Sequence, residues 1–302
     1  MQDLEPDFIP VFTSGRGEAE AMRAYQAVMD KWSADYQELT VPTSYGPTHV
    51  IVSGPADGPP VVLLHALFAT AASWYLNAGA LSKTFRTYAV DVIGEANKSR
   101  PTKPIASLED FLGWFTELID GLAIDTLYVV RNSYGGFTGA YYAMELPDRI
   151  RKLVLIGPAS TIDSMKPFMI HMFLPKAVYQ MLPWLPGRER VMRRSVDWMH
   201  GDLPRDPLWE PLFYQTMTNG KLINKVFPRV YSKVEFAQIR VPVLLILGER
   251  EAIYSSLESA VEKGRHLIPG IEIELIPYGH HITAVAQPDL VNQRILRFFG
   301  ES

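Results

Sequence analysis

The chain contains no cysteine. That excludes disulfides, a thiolate nucleophile and thiolate-ligated metal, and it leaves the redox compartment open. Long apolar runs are also missing. None approaches the roughly 18 residues that mark a membrane span. The N-terminal MQDLEPDFIPVFTSG lacks a basic start followed by an apolar stretch, so it does not have the form of a signal peptide. The expectation is a soluble cytoplasmic protein. An excess of positive charge is absent too, with 29 basic against 33 acidic residues and a net charge of -4. That balance argues against nucleic acid as a partner. The one basic cluster, RERVMRR from Arg188 to Arg194, fits a solvated helix face. No internal repeat or low-complexity segment is evident.

What remains is ordinary globular composition, 302 residues of which 47% are hydrophobic and 21% charged. Short β-rich runs alternate with longer helical ones. Strands are predicted at 38–43, 47–53, 60–65, 86–92, 126–131, 152–157, 242–247 and 271–276. The runs starting at 60, 126, 152 and 242 are nearly all apolar, as suits strands covered on both faces of a parallel sheet. The first two strands flank SYGP, a turn signal, and predict an antiparallel hairpin at the edge. Helices are predicted over Glu18 to Trp32, Leu108 to Leu122 with Ser107 as N-cap, Tyr134 to Glu145, and Ala286 to Phe299. This alternation predicts a doubly wound α/β fold with a mostly parallel eight-stranded sheet.

The alternation breaks once. From Thr161 to Val234 there is no strand signal, and prolines at 167, 175, 183, 186, 204, 207 and 211 cut a stretch rich in Met, Trp and Phe into short helices. The expected organisation is an N-terminal helical extension (1–37), a core (38–160 and 236–302) and an inserted helical cap (161–235).

The chemistry centres on VVRNSYGG, Val129 to Gly136. Ser133 follows an apolar strand and precedes a helix. A sharp turn there lifts the hydroxyl out of the sheet and sets it near a helix N-terminus, where negative charge is favoured. It also aims the Tyr134 N–H at an oxyanion. The nucleophile-turn pattern Gly-x-Ser-x-Gly is met at Gly135, but Arg131 stands where the first glycine belongs. A base is needed, and PYGHHITAV offers His280 and His281 just after the last predicted strand. Loops at that carboxyl edge are where α/β sites form. His280, directly after Gly279, is the expected base, with His281 a packing or solvent-facing neighbour. The orienting carboxylate is expected in GEREAIY, after the strand PVLLIL. Glu249 and Glu251 are both candidates there, and Asp163 is a third. Glu251 lies three residues past Gly248, the offset at which an acid often follows this strand. A second oxyanion donor is expected in LLHALFATAASW, from Leu67 or, with the loop shifted by one, Phe68. His65 is expected to brace that loop, and Asp91, Gly94 and Ser99 to shape a loop over the rim of the site.

Together LLHALFATAASW, YAVDVIGEANKSRP, VVRNSYGG, GEREAIY and GHHITAVAQPDLV resemble the α/β-hydrolase family from about Glu38 to the last helix. Within it the chain is similar to capped bacterial carboxylesterases. The resemblance implies a nucleophile at Ser133, a base at His280, an acid at Glu251 and ester hydrolysis through a covalent acyl-enzyme. It implies no cofactor and no metal. The partner it implies is a small-molecule ester, and a homodimer is left open. Haloalkane dehalogenases and epoxide hydrolases use an aspartate where this chain has Ser133. Lactone and carbon–carbon bond hydrolysis stay open as alternatives, as does a slow or non-catalytic ligand-binding protein, for which Arg131 and Ala66 in place of glycines are the support. Phe68, Met172, Trp184 and Trp198, with Phe168, Met169, Phe173 and Met181, are expected to line the substrate pocket.

Overall fold

A computed structural model describes residues 7–165 and 168–300. The strands are β1 (Tyr36–Val41), β2 (Thr48–Ser53), β3 (Pro60–Leu64), β4 (Arg86–Val90), β5 (Leu127–Asn132), β6 (Ile150–Ile156), β7 (Val243–Gly248) and β8 (Glu272–Ile276). They form one eight-stranded sheet in the order β1-β2-β4-β3-β5-β6-β7-β8. β1 pairs antiparallel with β2, and β2 with β4. Every later pairing is parallel. The four near-continuous apolar runs are β3, β5, β6 and β7, adjacent in the middle of the sheet. Their apolar side chains are buried, because helices cover both faces of a parallel sheet. β6 begins two residues before its apolar run, since the ladder takes in Ile150 opposite Leu127 through a register irregularity at Leu127/Tyr128.

The four predicted helices are found, and side-chain caps set the starts of the first two. α1 (Gly15–Met29) starts three residues early because the Ser14 hydroxyl accepts the Gly17 N–H at 3.1 Å. α2 is Tyr75–Leu81. α3 (Leu108–Gly121) begins at the Ser107–Asp110 capping box. α4 spans Tyr134–Glu145. Between β6 and β7 the described residues contain helices and no strand of the sheet. A wide turn, Met169–Phe173, runs into α5 (Leu174–Met181), followed by α6 (Arg188–His200), α7 (Trp209–Asn219) and the single turn α8 (Lys233–Phe236). Pro175 sits in the first turn of α5, where it removes no helical hydrogen bond; Pro167 lies outside the described residues. α9 is Leu257–Leu267. The final helix is in two pieces, α10 (Thr283–Ala286) and α11 (Pro288–Gly300), divided where Pro288 opens the second.

The N-terminal segment is tied to the inserted helices. Thr13 N–H donates to Asn219 O, and Lys221 N–H to Val11 O, each at 2.8 Å. Gly17 leaves room for the Asn219 side chain, which a Cβ would meet at 2.7 Å.

Candidate active site

Ser133 occupies the turn between β5 and α4 at φ 51°, ψ -116°. A left-handed φ is strained for a side chain with a Cβ, and the surroundings hold it there. Its N–H donates to Ile156 O at 2.8 Å, and its carbonyl accepts from Gly136 and Ala159 at 2.8 and 3.0 Å. A Cβ at Gly136 would collide with Pro158, so the start of α4 can pass the β6 loop only without one.

Arg131 is buried. Its stem lies along α4, in space that two glycines leave open. A Cβ on Gly139 would come within 2.8 Å of Arg131 Cδ, and one on Gly135 within 3.4 Å. Its Nη1 donates to the Thr138 hydroxyl. The guanidinium sits 4.5 Å from the Tyr142 ring centroid and 5.9 Å from that of Phe115, two aromatic faces that favour a cation. Burial lowers its pKa, against the pull of Tyr142, Tyr134 and Glu95. The arginine therefore fills the interface between strand and helix and does not reach toward the Ser133 hydroxyl.

The histidine at Ser133 is His281, not His280. His281 Nε2 lies 2.8 Å from Ser133 Oγ, and its Nδ1 lies 3.1 Å from Glu251 Oε1. All three residues are buried. His280 is sent elsewhere. Its ring packs against Gly201 at the end of α6, so closely that a Cβ there would fall on the imidazole. Neither of its ring nitrogens has a hydrogen-bond partner among the described residues, and burial lowers its pKa. The backbone explains the exchange. Gly279 packs on the end of β7, where its carbonyl accepts the Arg250 N–H at 2.8 Å. That contact leaves the following residue facing α6, and the next one turns in toward Ser133 at the entry to α10. Nothing in a His-His doublet reveals this offset of one.

Of the three candidate carboxylates, Glu251 is the one at His281. Its Oε1 also accepts the Ile253 N–H at 3.2 Å. Glu249 takes the Tyr278 N–H at 3.0 Å. Asp163 is held by Lys263 Nζ and Ser259 Oγ at 2.8 and 2.9 Å.

Above Ser133, Tyr134 is the first residue of α4, so its N–H has no partner within the helix. Leu67 borders the same cavity as Ser133. The Phe68 N–H, by contrast, is engaged by Glu95 Oε2 at 3.1 Å. His65 is buried and braces the loop. Its Nε2 accepts the Val92 N–H at 3.0 Å, which leaves Nδ1–H to donate to Ala66 O at 2.8 Å. Asp91 is buried too and accepts from Ala71 N–H at 2.7 Å and Tyr25 OH at 3.1 Å, with His49 Nδ1 at 2.9 Å. Ser99 Oγ donates to Asp91 O at 2.7 Å, and Gly94 takes a φ of +80° in the same loop.

A family model described as the alpha/beta hydrolase fold matches residues 59–197. Carboxylesterase YbfK of Bacillus subtilis is 34% identical over 283 residues, which covers 91% of this chain and 92% of that protein. A second B. subtilis protein, named uncharacterized carboxylesterase nap, is 31% identical, covering 92% of this chain and 91% of its own. The chain belongs to the α/β-hydrolase carboxylesterases. The crystal structure of the B. subtilis carboxylesterase CesB (YbfK) superposes with a TM-score of 0.86 at 31% identity, over 95% of this chain and 99% of that one. That of the B. subtilis naproxen esterase gives 0.83 at 30% identity, with coverage of 95% and 99%.

In this esterase two adjoining cavities meet at Ser133. One is bordered by Phe68, Glu95, Met165, Phe168, Phe173 and Phe227, the other by Trp74, Met199, Trp209, Phe213 and His281. Phe68, Phe168 and Phe173 thus lie where the sequence placed a pocket wall. Met172, Trp184 and Trp198 do not border either cavity. Met172 is buried away from them, Trp198 stacks on His171 at 4.6 Å, and Trp184 is 74% exposed. Met181 is exposed as well; the Met169 side chain lies outside what the structure describes. For Met181 the reason is the orientation of α5, which turns Leu174 and Met181 to solvent and Lys176 inward, while Trp184 lies in the turn that follows α5. Met199, Trp209 and Phe213 were missed, because an aromatic-rich segment gives no sign of which helix faces the site.

Proposed function

We propose that this esterase cleaves carboxylic esters through an acyl-enzyme on Ser133, with His281 as general base and Glu251 as its orienting acid. The unbroken buried chain of contacts, 2.8 Å from Ser133 to His281 and 3.1 Å from His281 to Glu251, carries this reading. Ser133 Oγ attacks the ester carbonyl while His281 Nε2 takes its proton. Glu251 holds Nδ1–H and stabilises the imidazolium that forms. The N–H groups of Leu67 and Tyr134 receive the oxyanion. His281 then returns the proton to the departing alcohol. Water, activated by the same histidine, attacks the acyl-serine and releases the acid.

In this reading residues 161–235 act as a cap that closes over the acyl group. Phe168, Phe173 and Phe227 offer an apolar wall, which suits short-to-medium acyl or aromatic esters. The test is hydrolysis of p-nitrophenyl esters from acetyl to dodecanoyl by wild type and Ser133→Ala, with fluorophosphonate labelling of Ser133. Turnover and labelling that vanish together in the variant are expected. Turnover that survives Ser133→Ala would overturn the mechanism. A lactone and a 1,3-diketone in the same panel separate the other reactions open to a serine triad.

A further inference from the structure

Glu95 is a buried carboxyl for which the proposed mechanism has no use. It borders the apolar cavity at Ser133, and its Oε2 accepts the Phe68 N–H at 3.1 Å. Phe68 has a left-handed φ of 63°, a conformation a side chain rarely adopts unless it is held. Three elements hold it. Glu95, from the loop after β4, takes its N–H. The Thr216 hydroxyl of α7 has Phe68 O as its nearest acceptor. Lys176 of α5 places Nζ 4.8 Å from the centroid of the Phe68 ring, while donating to Met217 O and Gly220 O at 2.5 and 2.7 Å. Phe68 lies in the turn closed by Ala69 N–H to Ala66 O at 3.0 Å. The preceding residue is Leu67.

We propose that Glu95 is a positioning residue for ester cleavage: by accepting the Phe68 N–H it fixes the 66–69 turn and thereby the aim of the Leu67 N–H at the oxyanion. The inference rests on the acyl-enzyme reading above. Its physical core is that the bond to Glu95 orients the peptide after Leu67, and the turn closed between Ala66 O and Ala69 N–H passes that constraint to the peptide before it, which carries the Leu67 N–H. Without that acceptor the Phe68 N–H would be a buried donor with no partner, which is costly enough to rotate the turn.

The carboxyl also brings a pH signature. Burial pushes it up to about 8, against the Phe68 N–H and Arg131, and Asp91 pushes it the same way as burial. Tyr134 from α4 and Lys221 border the same cavity, and Lys176 stands across the Phe68 ring, its ammonium pushed down to about 7 by burial, so that it loses charge in the same range. Below about 8 the group is the uncharged acid. Above that it becomes an anion beside a site where negative charge develops, so kcat should fall as pH rises through this range.

The experiment compares wild type, Glu95→Ala and Glu95→Gln in p-nitrophenyl butyrate hydrolysis across neutral and alkaline pH, together with the affinity of an alkylboronic acid, which forms a tetrahedral adduct on serine. For Glu95→Ala the expectation is a kcat lower by about 10- to 100-fold, a fraction of what outright loss of an oxyanion donor costs, with KM nearly unchanged and the boronate weakened in parallel. Glu95→Gln keeps an acceptor for Phe68 and should recover most of kcat while losing the part of the alkaline fall that Glu95 carries. Wild-type kcat in Glu95→Ala, or a kcat in Glu95→Gln as low as in Glu95→Ala, would overturn the proposal. If Glu95→Ala does not melt cooperatively, Glu95→Leu, which fills the space without accepting the N–H, takes its place. Ser133→Ala run alongside keeps the two readings apart. If it is dead while Glu95→Ala is normal, only the role of Glu95 fails; if it retains activity, the acyl-enzyme reading fails as well.

Discussion

The carboxyl edge of the sheet and the inserted helices place their side chains by different means. At the sheet edge, Ser133, Glu251 and His281 each follow a strand, β5, β7 and β8. The ladder between β7 and β8 pairs Gly248 with Ile276, and the next N–H, that of Glu249, still donates to Ile276 O at 3.0 Å. Backbone pairing therefore brings the two loops together before any side chain is chosen. In the insert the bridge at Gly220 runs to Phe12 of the N-terminal segment, and no ladder joins the helices among the described residues. Its helices are joined by side chains that reach backbone carbonyls, such as Lys176 to Met217 O and Gln180 Nε2 to Gly220 O at 3.0 Å. Which face of such a helix points inward depends on packing partners far away in sequence. Met192 of α6 is buried and Met181 of α5 is 73% exposed, although both lie in the same Met- and aromatic-rich stretch.

The sharpest way to test the sheet-edge half of this contrast is at the histidine doublet. His281→Ala and Ser133→Ala should each lower kcat by about 10⁴- to 10⁶-fold, as loss of members of a working triad does elsewhere. His280→Ala should stay within about tenfold of wild type, because its ring meets Gly201 and not Ser133. Parallel kinetics on p-nitrophenyl acetate check this. A larger loss in His280→Ala than in His281→Ala would reverse the assignment.

In the insert the largest effect is expected at Trp209. It stacks on Phe213 at 4.7 Å and on His200 at 5.4 Å. Trp209→Ala should cost about 3–5 kcal/mol, the usual range for deleting a buried aromatic. Urea unfolding at constant m-value measures it. Because the ring also borders the cavity at His281, KM for longer acyl chains should change as well.

A smaller effect is expected where Arg131 meets α4. Gly139→Ala should destabilise by about 1–3 kcal/mol, the cost of overpacking, since the new Cβ would press on the Arg131 stem. In an Arg131→Ala background most of that cost should disappear. A double-mutant cycle by thermal unfolding reads the coupling. Additive effects would mean that the two positions do not share space.

These contrasts explain what could be foreseen from sequence. The four central strands were legible because a buried parallel strand needs a nearly unbroken apolar run, and β3, β5, β6 and β7 have one. The helix N-termini at Ser107 and Tyr134 were legible because caps and strand-to-helix turns are local. Ser133 and the region of its partners followed from chain order. The choice between adjacent histidines was not legible, because it turns on a one-residue offset fixed by the contact of Gly279 with β7. Neither was the fate of Arg131, whose room comes from Gly135 and Gly139 on another element. The pocket residues of the insert were the least legible, because Met, Phe and Trp at helical spacing suit a core, a cavity wall or an exposed stripe alike.

The smallest predicted effect tests that last point. Ile170, Leu174, Met181 and Trp184 are all exposed along the wide turn, α5 and the turn that follows it. Apolar side chains already in water contribute little transfer free energy to folding. Trp184→Ser and Met181→Ser should therefore change stability by no more than about 0.5 kcal/mol. Neither should change KM across the p-nitrophenyl series, since neither residue borders the cavities at Ser133. A Trp184→Ser variant that shifts the chain-length optimum would place that ring against substrate, and it would bring the turn after α5 into the pocket wall, from which the ring's exposure now excludes it.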